Sequence, residues 1–175
     1  AFEYLEPKLA EVDEPYAIAL YAIAAEQIGD EARVKWAVER LRATTKEEAG
    51  GVYWALETNT PFYGWGLAGQ IETTALAIRA LTFATESTED KKTSESSVNS
   101  VAKNKELISK GVYWLLRNKD RYGVWLSTQA TVNGWIAQHS CTNPVLLDEN
   151  KRVMNDHVPV SPACAFSWPQ VWLYD

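Results

Sequence analysis

Residues Tyr113-Trp-Leu-Leu-Arg-Asn-Lys-Asp-Arg-Tyr-Gly-Val-Trp-Leu-Ser-Thr-Gln-Ala-Thr-Val132 read as the end of one helix, a glycine turn and the start of a second helix. Gly123 is placed to supply the left-handed backbone that ends the first helix. Ser127 is placed to cap the second, its hydroxyl accepting from a free N–H of the next turn. The same grammar occurs earlier, in Tyr63-Gly-Trp-Gly-Leu-Ala-Gly-Gln-Ile-Glu-Thr-Thr-Ala-Leu-Ala77. A repeated helix pair is the strongest statement the sequence makes.

Two kinds of helix alternate along the chain. Tyr16 to Ala25 is apolar all round, which predicts a helix buried on every face as far as Ile28. Asp13 is expected to cap it, Pro15 fits its first turn, and Gly29 ends it. Glu31 to Ala43 differs. Val34, Ala37, Val38 and Leu41 share one face, while Arg33, Lys35, Glu39, Arg40 and Arg42 cover the rest, the pattern of an outer helix. Ile71 to Phe83 is again apolar, broken by Arg79. Leu107 to Leu116 is again striped, and Thr128 to Ala137 is a third apolar segment. Ala1 to Leu9 should be an outer helix preceding the first. The inner segments align at Glu14, Glu72 and Gln129, whose positions are 58 and 57 apart. A fixed period of alternating inner and outer helices is a repeat architecture. Beta structure has little support, because the apolar runs are long and Ala-rich. Gly51-Val-Tyr-Trp54 and Gly111-Val-Tyr-Trp114 are identical, but the first reads as loop and the second as helix. The match is read as coincidence rather than as the repeat.

Residues 87–105 are polar and of low complexity, and are expected to form a mobile surface loop. From Gln138 the grammar changes again. Asn143-Pro, Val158-Pro, Ser161-Pro and Trp168-Pro exclude a long helix. This 138–175 tail still carries Phe166, Trp168, Trp172 and Tyr174, with Trp135 just before it, and is expected to fold back over an uncovered apolar face.

The 175 residues fit one domain or one piece of a larger one, and their net charge of −6 with no basic run excludes a nucleic-acid partner. No stretch approaches the ~20 apolar residues of a membrane span.

The helices around Glu72-Thr-Thr-Ala-Leu-Ala-Ile-Arg-Ala-Leu81 and Arg121-Tyr-Gly-Val-Trp-Leu-Ser-Thr-Gln-Ala-Thr131 resemble the thioester-containing domain of the alpha-2-macroglobulin and complement family. The resemblance runs from about Ala1 to Val132, and Ser127-Thr-Gln-Ala-Thr131 is its most specific piece. It implies an all-α fold, an α/α toroid of six concentric helix pairs of which residues 1–137 hold about three. It also implies a non-enzymatic module of a protease-trapping protein, extracellular or periplasmic, with neighbouring domains or a second copy as partners and proteases as eventual targets. The family's thioester needs a Cys and a Gln in a Gly-Cys-Gly-Glu-Gln-type motif. Neither Cys141, in His-Ser-Cys-Thr-Asn, nor Cys164, in Pro-Ala-Cys-Ala-Phe, has that setting. No catalytic residue is carried over and no cofactor is expected.

Other chemistry was weighed on the residues. A zinc site would join His139, His157, Cys141 and Cys164, but no CxxC or HxxxH unit supports it. The two cysteines read as a disulfide closing the tail, if the protein is exported, or as two unrelated thiols. Terpene cyclases and prenyltransferases share the toroid, but their Asp-rich cluster is missing and Asp120 reads as a solvated turn. A glycosidase would need paired carboxylates, for which Glu14 and Glu72 occupy equivalent positions. Helix capping is their plainer reading. Tyr63, Trp65, Trp125 and Trp135 could form a ligand platform or pack between helices.

Overall fold

The computed structural model describes residues 2–9, 13–56, 58–61, 64–89 and 95–140. These form six helices and one hairpin in the order α1 (Phe2–Leu9), α2 (Pro15–Gln27), α3 (Glu31–Ala43), β1 (Lys46–Glu48), β2 (Gly51–Tyr53), α4 (Gly66–Glu89), α5 (Glu95–Arg117) and α6 (Thr128–Ser140). Outer α1, α3 and α5 alternate with inner α2, α4 and α6. The inner α4 packs against α2 on one side and α6 on the other, with α5 behind it. Helices α2 to α6 form the expected all-α arrangement of alternating inner and outer helices.

The joint between α2 and α3 follows from one glycine. Gly29 has φ +71, so the chain can turn back. Its N–H then bonds Glu26 O at 2.9 Å, and the Asp30 N–H bonds Ala25 O at 3.0 Å. This is the Schellman closure of a helix C-terminus. Asp30 then caps α3, its carboxylate accepting from the Arg33 N–H at 3.1 Å. Two helices are thus joined by three residues, Ile28 to Asp30.

From Ile71 to Leu81 α4 is buried everywhere except at Arg79, which is partly covered. Inner helices flank it on two sides and an outer helix backs it, so it has no wet face. Each buried Ile or Leu contributes roughly 1.5–3 kcal/mol. The expectation that α2 is buried all round is corrected. Leu20 is 42% exposed and Ile28 60%, and with Ala24 they form an open strip at helical spacing. No described helix packs beyond α2 on that side. Asp13 is not the cap either. It pairs with Arg40, and the N-cap position belongs to Glu14, whose side chain makes no capping bond.

The hairpin corrects the expectation of no beta structure. β1 and β2 pair antiparallel, Glu47 opposite Val52. Ala49 and Gly50 between them have φ +49 and +83, the two positive values a type I′ turn requires. Residues 87–89 and 95–105 are also helical, contrary to the loop expectation. Buried Asn104 explains part of this. It accepts from Arg42 of α3 at 2.7 Å and donates to Thr85 of α4 at 3.2 Å, while Arg42 also reaches Ser100 O at 2.9 Å. Polar side chains, not an apolar stripe, dock this end of α5. The tail, with Cys141, Cys164, His157 and the aromatics from Phe166 to Tyr174, lies outside the described residues.

Candidate functional site

The segment leading into α4 meets two of the residues aligned by the repeat, Glu14 and Glu72. Thr58, on the approach to α4, donates to Glu14 at 3.4 Å. That bond puts the approach to α4 beside the start of α2. The approach then closes on itself. The Thr60 N–H bonds Gly64 O and the Gly64 N–H bonds the Thr60 hydroxyl, each at 2.8 Å. Glu72 lies beneath this turn, one of its carboxylate oxygens 2.7 Å from where a Cβ on Gly64 would stand. Glu72 is 1% exposed. Burial first, and the Glu72 carboxylate second, hold the Tyr16 phenol above its ordinary pKa.

A second pattern repeats in space. The Trp54 indole N–H donates to Leu41 O at 2.7 Å, and its backbone N–H to the Thr74 hydroxyl at 3.0 Å. The Trp125 indole donates to Leu115 O at 2.9 Å, and its backbone N–H to the Thr131 hydroxyl at 3.1 Å. Leu41 and Leu115 occupy the same place, two residues before the ends of α3 and α5. Thr74 and Thr131 lie on the following inner helices. Each tryptophan therefore ties the last turn of an outer helix to the inner helix that follows. Both rings are buried, Trp54 at 0% and Trp125 at 5% exposure. Ser127 caps α6 as expected, accepting from the Ala130 N–H at 3.0 Å. Gly123 has φ +78, but it shapes the turn toward Trp125. α5 itself ends six residues earlier, at Arg117.

Two outer helices, α3 and α5, are thus each tied to the inner helix that follows by a buried tryptophan. A family model described as the A-macroglobulin TED domain, the thioester-containing domain, matches residues 1–138. The chain belongs to that family. No curated protein and no solved structure gives a significant match. The thioester-domain match runs past Val132, where the resemblance was expected to stop, and α6 continues through Ser140. Gly134 helps explain why a helix with this sequence still fits. A Cβ there would stand 2.9 Å from the Trp125 ring, so the glycine makes room for the clamp.

Within this thioester-domain fold the other expected sites separate. Trp65 is 74% exposed and Trp135 40%, while Trp125 is clamped inside at 5%. Buried Trp125 packs between helices rather than facing a ligand, and Tyr63 lies outside the described residues. Glu72 is closed off beneath the 60–64 turn, where a glycosidase carboxylate would face a cleft. It also lies six residues inside α4, so it caps no helix end. Among the described residues no group of three or more His, Cys, Asp and Glu converges. None of their helices is long and apolar enough to cross a membrane.

Sequence reasoning missed the clamp because Trp54 and Trp125 are 71 positions apart, outside the 57–58 period of the inner helices. Trp54 stands 20 positions before its Thr74 partner and Trp125 only 6 before Thr131, so the two connections into the inner helices differ in length. The signal was Gly-Val before each: Gly51-Val-Tyr-Trp54 and Gly123-Val-Trp125.

Proposed function

We propose that the chain is a scaffold module, not an enzyme, of a secreted or periplasmic protease-trapping protein of the alpha-macroglobulin type. The thioester-domain match over residues 1–138 carries this reading. Its 175 residues contain no Gly-Cys-Gly-Glu-Gln sequence, so the module supplies packing surface rather than the acyl group that tethers a target.

The exposed surface supports that role. Leu20 and Ile28 line one end of the arc, on α2. Leu126, Val132 and Trp135 are exposed at the other, around α6. Apolar residues at both flanks suit a piece that neighbouring domains, or a second copy, cover.

Methylamine treatment tests the chemical half of the proposal. The chain should gain no mass and release no new thiol. A thiol appearing together with the mass of one methylamine would overturn it. Size-exclusion chromatography with light scattering tests the packing half. Association should grow with concentration, and Leu20→Glu with Trp135→Glu should reduce it. A monomer at every concentration would count against the exposed flanks as interaction surfaces.

A further inference from the structure

The hairpin turn and the last turn of α5 border a cavity of about 150 Å³, lined by Glu48, Ala49, Trp114, Arg117 and Asn118. Its walls are held by bonds that each use only part of a side chain. The buried Trp114 indole donates to Glu48 Oε2 at 2.8 Å, and Oε1 has no partner among the described residues. Arg117 donates from Nη1 to Ala49 O at 3.0 Å, and its Nε and Nη2 make no bond among the described residues. Asn118 donates to Trp114 O at 2.8 Å, which leaves its Oδ1 free to accept. A carboxylate and a guanidinium therefore line one small cavity. The described ion pairs lie elsewhere, joining Asp13 to Arg40, Asp30 to Arg33, and Lys110 to Glu47 and Glu106. Glu48 and Arg117 are both exposed, so neither has been taken out of water.

We propose that this cavity binds a small zwitterion, a free α-amino acid with a short side chain. The ligand carboxylate would accept from the open N–H groups of Arg117, and its ammonium would donate to Glu48 Oε1 and Asn118 Oδ1. Both are charge-assisted bonds, the stronger kind. The two wall charges select the class. A simple anion would meet the Glu48 carboxylate and a simple cation the Arg117 guanidinium, each with like-charge repulsion. Only a ligand carrying both signs satisfies both walls. Size agrees. A cavity of ~150 Å³ holds a molecule as large as benzene, with about six heavy atoms, and alanine has the same number. The walls are also set before the ligand arrives. Tyr53 stacks on the Trp114 ring at 4.9 Å, and that ring positions Glu48. Such prior order lowers the cost of binding. Because both charges stand in water each contact is weak, and affinity falls in the millimolar range.

The test is an NMR titration of the full 175-residue chain with L-alanine, following the Trp114 indole N–H. Its resonance should shift along a saturating curve. Acetate and methylammonium chloride each carry one of the ligand's two charges. At matched ionic strength each should bind about ten times more weakly or worse. Glu48→Gln keeps an oxygen for the indole N–H but removes the charge. It and Arg117→Gln should each weaken alanine about tenfold. Glu106→Gln, at an exposed pair elsewhere on α5, should leave binding unchanged. A shift that never saturates overturns the proposal. So does acetate or methylammonium binding as well as alanine, which would make the cavity a site for simple ions. So does undiminished binding in either Glu48→Gln or Arg117→Gln. Should Arg117→Gln lose the hairpin contact and fail to fold, the comparison of alanine with acetate and methylammonium on the parent chain decides.

Discussion

The backbone of Gly51 lies against Trp114: a Cβ at Gly51 would stand 2.8 Å from the Trp114 Cβ and 3.1 Å from its Cα. The two identical tetrapeptides therefore meet, β2 lying on α5. Tyr53 stacks on the Trp114 ring at 4.9 Å, and the Trp114 indole donates to Glu48 at 2.8 Å. Gly51→Ala should lose about 1–3 kcal/mol, because the clash is with backbone and Cβ atoms that cannot swing aside. Chemical denaturation measures this, and a loss under about 0.5 kcal/mol would mean the hairpin can lift off α5.

The tryptophan clamps give a paired expectation. Trp54→Phe and Trp125→Phe each remove one indole donor and part of a buried ring. Leu41 O still accepts from the Thr44 N–H and Leu115 O from the Asn118 N–H, so neither carbonyl is orphaned. Each change should cost roughly 1–3 kcal/mol. Trp65→Phe, at an exposed ring, should be nearly neutral. Equal losses at Trp54, Trp125 and Trp65 would mean that the clamps contribute nothing specific.

Acid should unlock the joint between α2 and α3. The backbone hydrogen bond from Arg33, before all else, holds the Asp30 carboxyl below its ordinary pKa. A depressed folded value means stability that is complete above the unfolded pKa and lost as pH falls through the folded one. The Tm advantage of the parent chain over Asp30→Asn should therefore be full at neutral pH and shrink below about pH 4. A difference that stays constant into strong acid would assign the effect to capping geometry instead of charge.

Among the described residues Ala49 is the one non-glycine position with positive φ. It holds φ +49 without being glycine, which costs an L-residue about 1–2 kcal/mol. Ala49→Asn would make the turn Asn-Gly, the pair that type I′ turns favour. The Ala49 carbonyl, which accepts from Arg117 at 3.0 Å, is unaffected by the side chain. Tm should rise by about 2–4 °C, and a fall would show that the side chain at 49 has a second constraint.

What could be read from the residues was local. The Gly29 turn, the Ser127 cap and the stripe on α3 each depend on neighbours within one or two turns, so they were legible. The alternation of inner and outer helices followed from apolar periodicity. The hairpin was hidden because its strands are three residues long and too short to show an alternation. The first turns of α5 were hidden for a different reason. They are fastened by Arg42 and Asn104, 62 positions apart, and no window along the chain contains both. The burial of Glu72 was equally invisible. A carboxylate in an apolar run looks the same whether it faces water or lies beneath a turn.

The two clamps fix the last turns of α3 and α5 and do not act on their starts. α3 has 13 residues and α5 has 23, yet both present the same carbonyl, in the same last turn, to a tryptophan. The ten extra residues are therefore all accommodated at the start of α5, on the rim away from the clamp. Length can change there without shifting the register of anything downstream. Insertions and deletions among relatives should collect between α4 and α5, and a sequence grafted into that connection would leave the clamped rim undisturbed.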